Sequence, residues 1–169
     1  VKGSDFRKWY GNNSLVLDWY KDGLEIKEHK SSTIRNQHLY FKQGIAYNTI
    51  ASNFSARFVE EGFIFDQKNS MFFPVSENST YYTLGLVNST VIKPFLDILS
   101  PKDFGPGSMK LIPVLNEIED SKNQDILVQE LIEIFKNDWN SFEISWGFKV
   151  LPLIVSTKKN IEESYCNLN

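Results

Sequence analysis

Cysteine is almost absent from this chain, and so are histidine and long hydrophobic runs. Cys166 is the only cysteine, which excludes an intramolecular disulfide and favours a reducing, cytoplasmic setting. His29 and His38 stand nine residues apart without cysteines or a tight carboxylate cluster nearby, so we predict no metal site. The apolar runs are shorter than the roughly 20 residues that a membrane-spanning helix needs. No leader peptide is recognisable either, so we expect a cytoplasmic protein without a membrane partner.

Positive charge is also scarce overall, and its distribution is uneven. The chain has 18 Lys and Arg against 21 Asp and Glu, a net charge of −3, which argues against a generally basic nucleic-acid binder. All three arginines, Arg7, Arg35 and Arg57, lie in the first third of the chain, where basic residues outnumber acidic ones. This asymmetry is compatible with an anion-facing region there, and equally with an ordinary scatter of surface charge.

Aromatic residues are plentiful, with 13 Phe, 7 Tyr and 4 Trp, and they predict a well-buried globular core. In the first half, short aromatic-rich runs alternate with turn residues such as Asp22-Gly23. The predicted strands are 14–19, 38–42, 44–50, 54–59, 62–66 and 71–73. Strands of this composition and spacing indicate a twisted, mostly antiparallel sheet or a partial barrel.

The second half changes to helical periodicity. Apolar residues from Thr83 onward predict one or two short helices that end before Pro101. Because Pro94 would sit badly in a helix interior, we predict a new first turn near 89–92 or a kink there. We predict a loop over 104–107, a short strand over 109–115 and a long amphipathic helix over 126–146, capped by Ser121 or Asn123. Its apolar stripe consists of Leu127, Leu131, Phe135, Trp139, Phe142 and Trp146. The predicted fold class is α+β: a β-sheet, then short helices and one long C-terminal helix.

Candidate catalytic motifs are missing, whereas three stretches suit nucleic-acid binding. The chain has no Gly-x-Ser-x-Gly elbow and no phosphate-binding P-loop, so we expect no catalytic residue. Residues 7–10 mix cations and aromatics, as a phosphate-contacting surface does, or form an N-terminal strand with Trp9 in the core. Residues 35–38 carry side chains able to address base edges, or form an ordinary polar turn. Ser55 and Arg57 share one face if they lie on a strand. The candidate backbone contacts are Arg7, Lys8, Lys42 and Ser55; the candidate base readers are Arg35, Asn36, Gln37 and Arg57.

Five stretches, in order, resemble one known family. They are Phe6-Arg7-Lys8-Trp9-Tyr10-Gly11-Asn12, Tyr40-Phe41-Lys42-Gln43-Gly44-Ile45, Phe54-Ser55-Ala56-Arg57, Gly62-Phe63-Ile64-Phe65-Asp66 and Leu84-Gly85-Leu86-Val87-Asn88-Ser89. Together they resemble the target-recognition domain of PglX-type adenine-N6 DNA methyltransferases, which belong to bacterial BREX phage-defence systems. Residues 138–146, with Phe148 and Pro152, resemble the segment that follows that domain. Related recognition domains occur in type II restriction-modification methylases and, more distantly, in type I specificity subunits.

The resemblance implies that the chain recognises a specific double-stranded DNA sequence and directs adenine-N6 methylation by a catalytic domain of the same parent chain. Residues 1–120 would form the recognition domain, β-rich to about residue 75. Residues 121–169 would pack on that domain or on the catalytic part, with Trp139 and Trp146 as interdomain contacts. The parent would be an adenine-specific DNA methyltransferase that binds S-adenosylmethionine in its catalytic domain.

These 169 residues show neither of the motifs that such catalysis needs. Adenine methyltransferases hold the flipped base with an Asp/Asn-Pro-Pro-aromatic loop, and no Pro-Pro occurs here. The only glycine-rich turn, 104–107, contains Pro106 and precedes a predicted strand, so we expect no cofactor and no enzyme activity in this part. Where relatives often have Asn-Phe-x-x-Gly-Asp, this chain has Asp103-Phe104-Gly105-Pro106-Gly107-Ser108. Two alternatives remain: a type I or type II restriction-modification specificity domain, and a protein-interaction module that docks a partner on Trp139 and Trp146.

Overall fold

The computed structural model describes residues 6–66, 69–74, 77–100, 102–114 and 121–155. Three strands, β1 Gly44–Asn48, β2 Ala56–Val59 and β3 Asn69–Phe72, are preceded by helix α1 Tyr20–Glu28 and a 3₁₀ turn, Gln37–Leu39. The later helices are α2 Glu77–Asn88, α3 Ile92–Leu99, α4 Pro106–Met109, α5 Ser121–Asn140 and α6 Pro152–Val155. This order confirms the predicted α+β class. Within the described ranges, every helix is too short or too polar to cross a membrane.

The sheet has three antiparallel strands in the order β2-β1-β3. β1 is the central strand, and all five of its residues are buried. Its residues pair from Gly44 opposite Val59 to Tyr47 opposite Ala56 on one side, and from Ile45 opposite Phe72 to Asn48 opposite Asn69 on the other. The apolar runs predicted for β1 and β2 therefore form the interior of the domain, whereas β3 is buried only at Asn69.

Helix α2 lies between the sheet and the long helix α5, contacting both. Leu84 and Val87 of α2 are buried together with Val128, Ile132 and Trp139 of α5 in one hydrophobic core. The two helices approach closely at Gly85, where an added Cβ would stand 3.0 Å from Val128 Cγ2. This layering buries the apolar face of α5 within the domain.

Three predicted strands are wrong. In 14–19, Leu15, Val16 and Leu17 are more than half exposed and the segment is irregular. Residues 38–42 contain part of the 3₁₀ turn, and residue 41 has a left-handed backbone that a strand excludes. In 62–66, only Asp66 makes an isolated bridge. The aromatic residues of these segments pack edge to face around Tyr40 instead of pairing as strands.

The helical half follows the prediction more closely. Helices α2 and α3 are separated at 89–91, and Pro94 lies in the first turn of α3, as the sequence predicted. Pro106 begins the short helix α4, so the predicted loop over 104–107 is only partly correct. The predicted strand over 109–115 is wrong over 109–112, which form the end of α4 and a turn, and Leu115 lies outside the described residues.

Helix α5 ends at Asn140, six residues before the predicted end. Its buried positions are Val128, Ile132 and Trp139, so the apolar face is rotated from the predicted stripe, and Leu127 is exposed. Beyond the helix, Phe142 and Trp146 are also exposed. The predicted tail, 156–169, lies outside the described residues.

Candidate nucleic-acid interface

Arg7 is held against α5. Its Nε donates to the carbonyl oxygen of Tyr10 at 2.8 Å, and its Nη2 lies 2.6 Å from Asp138 Oδ2. The guanidinium carbon also lies 5.0 Å from the centre of the Trp139 ring. The predicted phosphate contact thus has carbonyl, carboxylate and aromatic partners within the domain, and these attach the N-terminal segment to α5.

Lys8 and Trp9 continue this attachment. Lys8 Nζ donates to the carbonyl oxygen of Asn88 at 2.8 Å, where a cation interacts favourably with the C-terminal end of α2. Partial burial lowers the pKa of the Lys8 ammonium. Trp9 exchanges backbone hydrogen bonds with Ala56 and Phe58 of β2, at 3.0 and 2.8 Å. Trp9 thus packs beside the core, as the alternative interpretation of this segment expected, but its left-handed φ of 67° limits the pairing to an isolated bridge instead of a strand.

Ser55 and Arg57 lie in the interior, with residue exposures of 0% and 1%. Ser55 N donates to Asn48 Oδ1 at 2.9 Å. In the amide orientation that satisfies its neighbours, the Asn69 oxygen accepts from Arg57 Nη2 at 3.1 Å. Burial lowers the pKa of the Arg57 guanidinium. Arg57 lies on β2 and Ser55 directly precedes that strand, and the fold buries both. Neither side chain reaches the surface that a DNA contact requires.

Arg35, Asn36 and Lys42 are exposed, whereas Gln37 is half-buried. Gln37 Nε2 donates to Asp22 Oδ1 and Oδ2 at 2.9 and 3.0 Å. Arg35 and Asn36 make no side-chain hydrogen bond or ion pair with any residue that the structure describes. Of the predicted base readers, Arg35 and Asn36 therefore present their donors and acceptors to solvent.

These residues belong to a polar lobe, residues 14–42, which the domain carries outside its three-stranded sheet. Five exposed cations of the lobe face solvent together with four exposed carboxylates. The cations are Lys21, Lys27, Lys30, Arg35 and Lys42; the carboxylates are Asp18, Asp22, Glu25 and Glu28. The lobe is nearly balanced in charge, so a contact with DNA there depends on individual side chains more than on a strong general attraction.

A second surface is an open apolar groove of about 700 Å³ between the lobe and the end of α5. Leu15, Val16 and Leu17 line one part of it, and Trp146, which is 69% exposed, lines another. Trp139 is buried at 6% exposure and also lines the groove. The two predicted interdomain tryptophans therefore differ: Trp139 packs within this domain, and Trp146 is open.

A polar network crosses this groove. The Tyr10 hydroxyl donates to Glu60 Oε2 at 3.0 Å, and Lys136 Nζ lies 2.6 Å from Glu60 Oε1. Burial, and then the negative charge of Glu60, raise the pKa of the Tyr10 hydroxyl. The hydrogen bond to Glu60 raises the pKa of Lys136, so the ion pair is favoured in its charged form. The network joins the N-terminal segment, the end of β2 and α5.

Two structural residues were missed at the sequence level. Asp22 was interpreted only as part of a turn, yet it accepts hydrogen bonds from three side chains. Asn88 is buried. Its side-chain Nδ2 donates a hydrogen bond to Ala56 O at 2.8 Å, and its Oδ1 accepts one from Ala56 N at 3.1 Å. Asp22 lies in a predicted turn and Asn88 in a stretch that carries the family resemblance, but neither pattern indicates these contacts. Among the described residues, no group of three His, Cys, Asp or Glu side chains is placed to hold a metal ion.

The chain matches no family model. Over 176 aligned residues it is 35% identical to the adenine-specific methyltransferase BrxX of Escherichia coli O9:H4 (strain HS), and this alignment covers 99% of the chain. It is also 35% identical to the adenine-specific methyltransferase PglX of Lacticaseibacillus casei (strain Zhang), in an alignment that covers 98% of the chain. The chain spans 14% of the length of each of these curated relatives. It is therefore related, along nearly its whole length, to one segment of the BrxX and PglX adenine-specific methyltransferases.

Proposed function

We propose that this chain is a DNA target-recognition domain, which selects the duplex sequence that an adenine-specific methyltransferase modifies. The relation to a short segment of BrxX and PglX carries this proposal, because that relation covers nearly the whole chain. The absence of the Pro-Pro loop from this sequence favours a recognition role over a catalytic one. The methyl-transfer chemistry and the S-adenosylmethionine site then belong to another part of the same parent protein, in a BREX-type phage-defence system.

The exposed pair Arg35 and Asn36 is the best-supported base-reading site of the domain. An arginine can donate two hydrogen bonds to guanine O6 and N7, and an asparagine can pair with adenine N6 and N7 in the major groove. Both side chains are exposed and have no polar partner among the described residues. Lys42 is exposed at the other end of the same stretch, where it can contact a phosphate.

The apolar groove supports a further element of this proposal, contact with the methyltransferase part of the parent. Trp146, Leu15, Val16 and Leu17 expose a large apolar area around it, which monomeric domains usually cover. We expect iodide to quench Trp146 in the isolated chain and to be excluded from it in the full-length protein. Equal quenching in both would assign the groove to a different partner or to none. The W146F variant identifies the contribution of this tryptophan to the signal.

DNA recognition is tested by selection from a random duplex library, followed by sequencing of the bound fraction. The full-length protein is expected to enrich one short motif. R35A and N36A are each expected to relax the preference at one base position, by about 5- to 150-fold for a loss of about 1–3 kcal/mol. N137A, an exposed asparagine on α5, is the matched control and should leave the motif unchanged.

Two outcomes contradict this proposal at different levels. If the wild-type protein binds all duplexes equally, or shows no salt-dependent DNA binding, the domain is not a sequence reader. If the wild type enriches a motif and both R35A and N36A enrich the same motif to the same extent, the domain reads DNA through other residues. The second result would leave the recognition role intact and remove the assignment to this loop.

A further inference from the structure

Asp22 is the polar centre of the lobe. Its Oδ1 accepts from the Trp19 indole N–H at 3.2 Å, and its Oδ2 lies 2.6 Å from Lys27 Nζ. Both carboxylate oxygens also accept from Gln37 Nε2, at 2.9 and 3.0 Å. One exposed carboxylate thus joins the start of α1, its last turn and the stretch that carries Arg35 and Asn36.

The backbone around Asp22 has an uncommon conformation. Lys21, Asp22 and Gly23 all have left-handed φ and ψ angles: 49° and 48°, 60° and 37°, 71° and 33°. Left-handed backbone is unfavourable for a residue with a side chain, so surrounding contacts must hold it. The Trp19 ring would also lie 2.9 Å from a Cβ at position 23, so glycine is needed there. This turn places the Asp22 carboxylate against Gln37.

The loop opposite Asp22 has few other attachments at its tip. Asn36 is itself left-handed, with φ 54°, and it precedes the 3₁₀ turn in which Leu39 N donates to Asn36 O at 2.9 Å. Farther along, the Tyr40 ring packs against Trp19 with centroids 5.4 Å apart. Among side chains 35–38, only that of Gln37 makes hydrogen bonds to another described residue, and these go to Asp22. Gln37–Asp22 is therefore the side-chain hydrogen-bond contact that ties the tip to another described segment.

We propose that Asp22 is a positioning residue for sequence recognition: it holds Gln37, and thereby fixes the adjacent Arg35 and Asn36 in the geometry that reads bases. This inference rests on the proposed function. Asp22 itself makes no contact with DNA in this scheme. The hydrogen bonds from Lys27 and Gln37 lower the pKa of Asp22, so the accepting carboxylate persists throughout the neutral range.

Loss of the contact should affect specificity more than folding. Asp22 is exposed and is not part of the hydrophobic core, so its removal leaves the packing of the domain intact. A released tip must be ordered again when it reads the correct bases, and the lost backbone freedom offsets part of the affinity gained on the correct duplex. A mobile Arg35 can also reach more than one base edge. Both effects reduce the difference in affinity between the correct duplex and its single-base variants.

The test reverses the donor and the acceptor in the full-length protein. Q37E places a carboxylate against Asp22, and it should reduce the preference at the Arg35- and Asn36-dependent positions by about tenfold. In the double variant D22N/Q37E, the amide introduced at position 22 can donate to the carboxylate at position 37. The double variant also has the net charge of the wild type, so it should recover most of the preference without a change in general electrostatic attraction. D22N alone keeps one accepting oxygen and is expected to lie between Q37E and the wild type.

D18N is the matched control, because Asp18 is an exposed carboxylate of the same lobe that accepts from Tyr20 N and not from the loop. It should leave the preference unchanged. Amide hydrogen exchange at Leu39 and Tyr40 should be faster in Q37E, and slower again in D22N/Q37E. The inference is overturned if Q37E keeps the wild-type preference, or if the double variant is no better than Q37E while the wild type reads a motif. A wild type that reads no motif would overturn the proposed function, and this inference with it.

Discussion

Replacing Arg7 with alanine should destabilise the fold instead of weakening a DNA contact. The hydrogen bond from the charged guanidinium to Tyr10 O contributes about 1.5–3 kcal/mol, as charged donors do. The pair with Asp138, which is 56% exposed, adds about 0.2–1 kcal/mol, and stacking over Trp139 adds about 0.5–1 kcal/mol. These contributions share one side chain and are not additive, so R7A is expected to lower the free energy of unfolding by about 2–4 kcal/mol. Urea denaturation followed by tryptophan fluorescence measures it.

Two variants and one binding assay complete the Arg7 test. R7K keeps a positive charge near Asp138 but cannot form the same fork, so it should restore only part of the stability. D138N removes the exposed carboxylate alone and should cost less than about 1 kcal/mol. The reasoning is refuted if R7A unfolds within about 0.5 kcal/mol of the wild type and also flattens the salt dependence of DNA binding by about one unit. That pair of results would return Arg7 to the phosphate-contacting role predicted from the sequence.

Two further predictions concern buried polar contacts. N88A should lower the free energy of unfolding by about 2–4 kcal/mol, because the buried Ala56 N–H loses its acceptor and Ala56 O loses one of its donors. Thermal denaturation, with the exposed-site variant N137A as the control, measures this loss. The raised pKa of Tyr10 gives stability that is present below the unfolded value of about 10 and is lost as the pH rises toward the folded value. Y10F should therefore lose less stability above pH ~10 than the wild type in urea titrations, and an unchanged alkaline slope would contradict the reasoning.

The parts of the fold that were predictable are those in which local pattern and tertiary packing agree. The runs that became β1 and β2 are apolar and lie against α2, so their strand propensity and their burial coincide. The break between α2 and α3 followed from Pro94, whose ring constrains the backbone wherever it lies. The segment 14–19 has an equally good strand pattern, but its Leu15, Val16 and Leu17 have no strand beside them and line the groove. Strand pattern alone does not reveal whether a pairing partner exists.

For helix α5, too, the sequence pattern alone does not reveal which residues are buried. Two apolar stripes run along it, one through Leu127 and one through Val128, and both are compatible with a helical period. The sequence does not indicate which stripe meets Gly85, where the close approach of α2 places Val128 in the core. Trp139 belongs to the buried face, whereas Trp146 lies beyond the helix end and is exposed. The interdomain role predicted for both tryptophans therefore stays open only for Trp146.

The candidate site was the least predictable feature, because a cation in a sequence does not reveal its partner. Arg7, Lys8 and Arg57 are three of the nine cations in the first third of the chain. The structure directs all three to carbonyl, carboxylate or amide oxygens of the domain itself. Among the described residues, the other cations of that third all lie on the lobe, which carries almost as many carboxylates. Long-range attraction to phosphates is consequently small, and the number of counterions released on binding is small too. If the domain reads DNA as proposed, its affinity in isolation must be weak, and its discrimination must come from short-range contacts of Arg35 and Asn36. Such contacts depend on geometry, which is why the conformation of a single polar loop matters more here than the net charge of the chain.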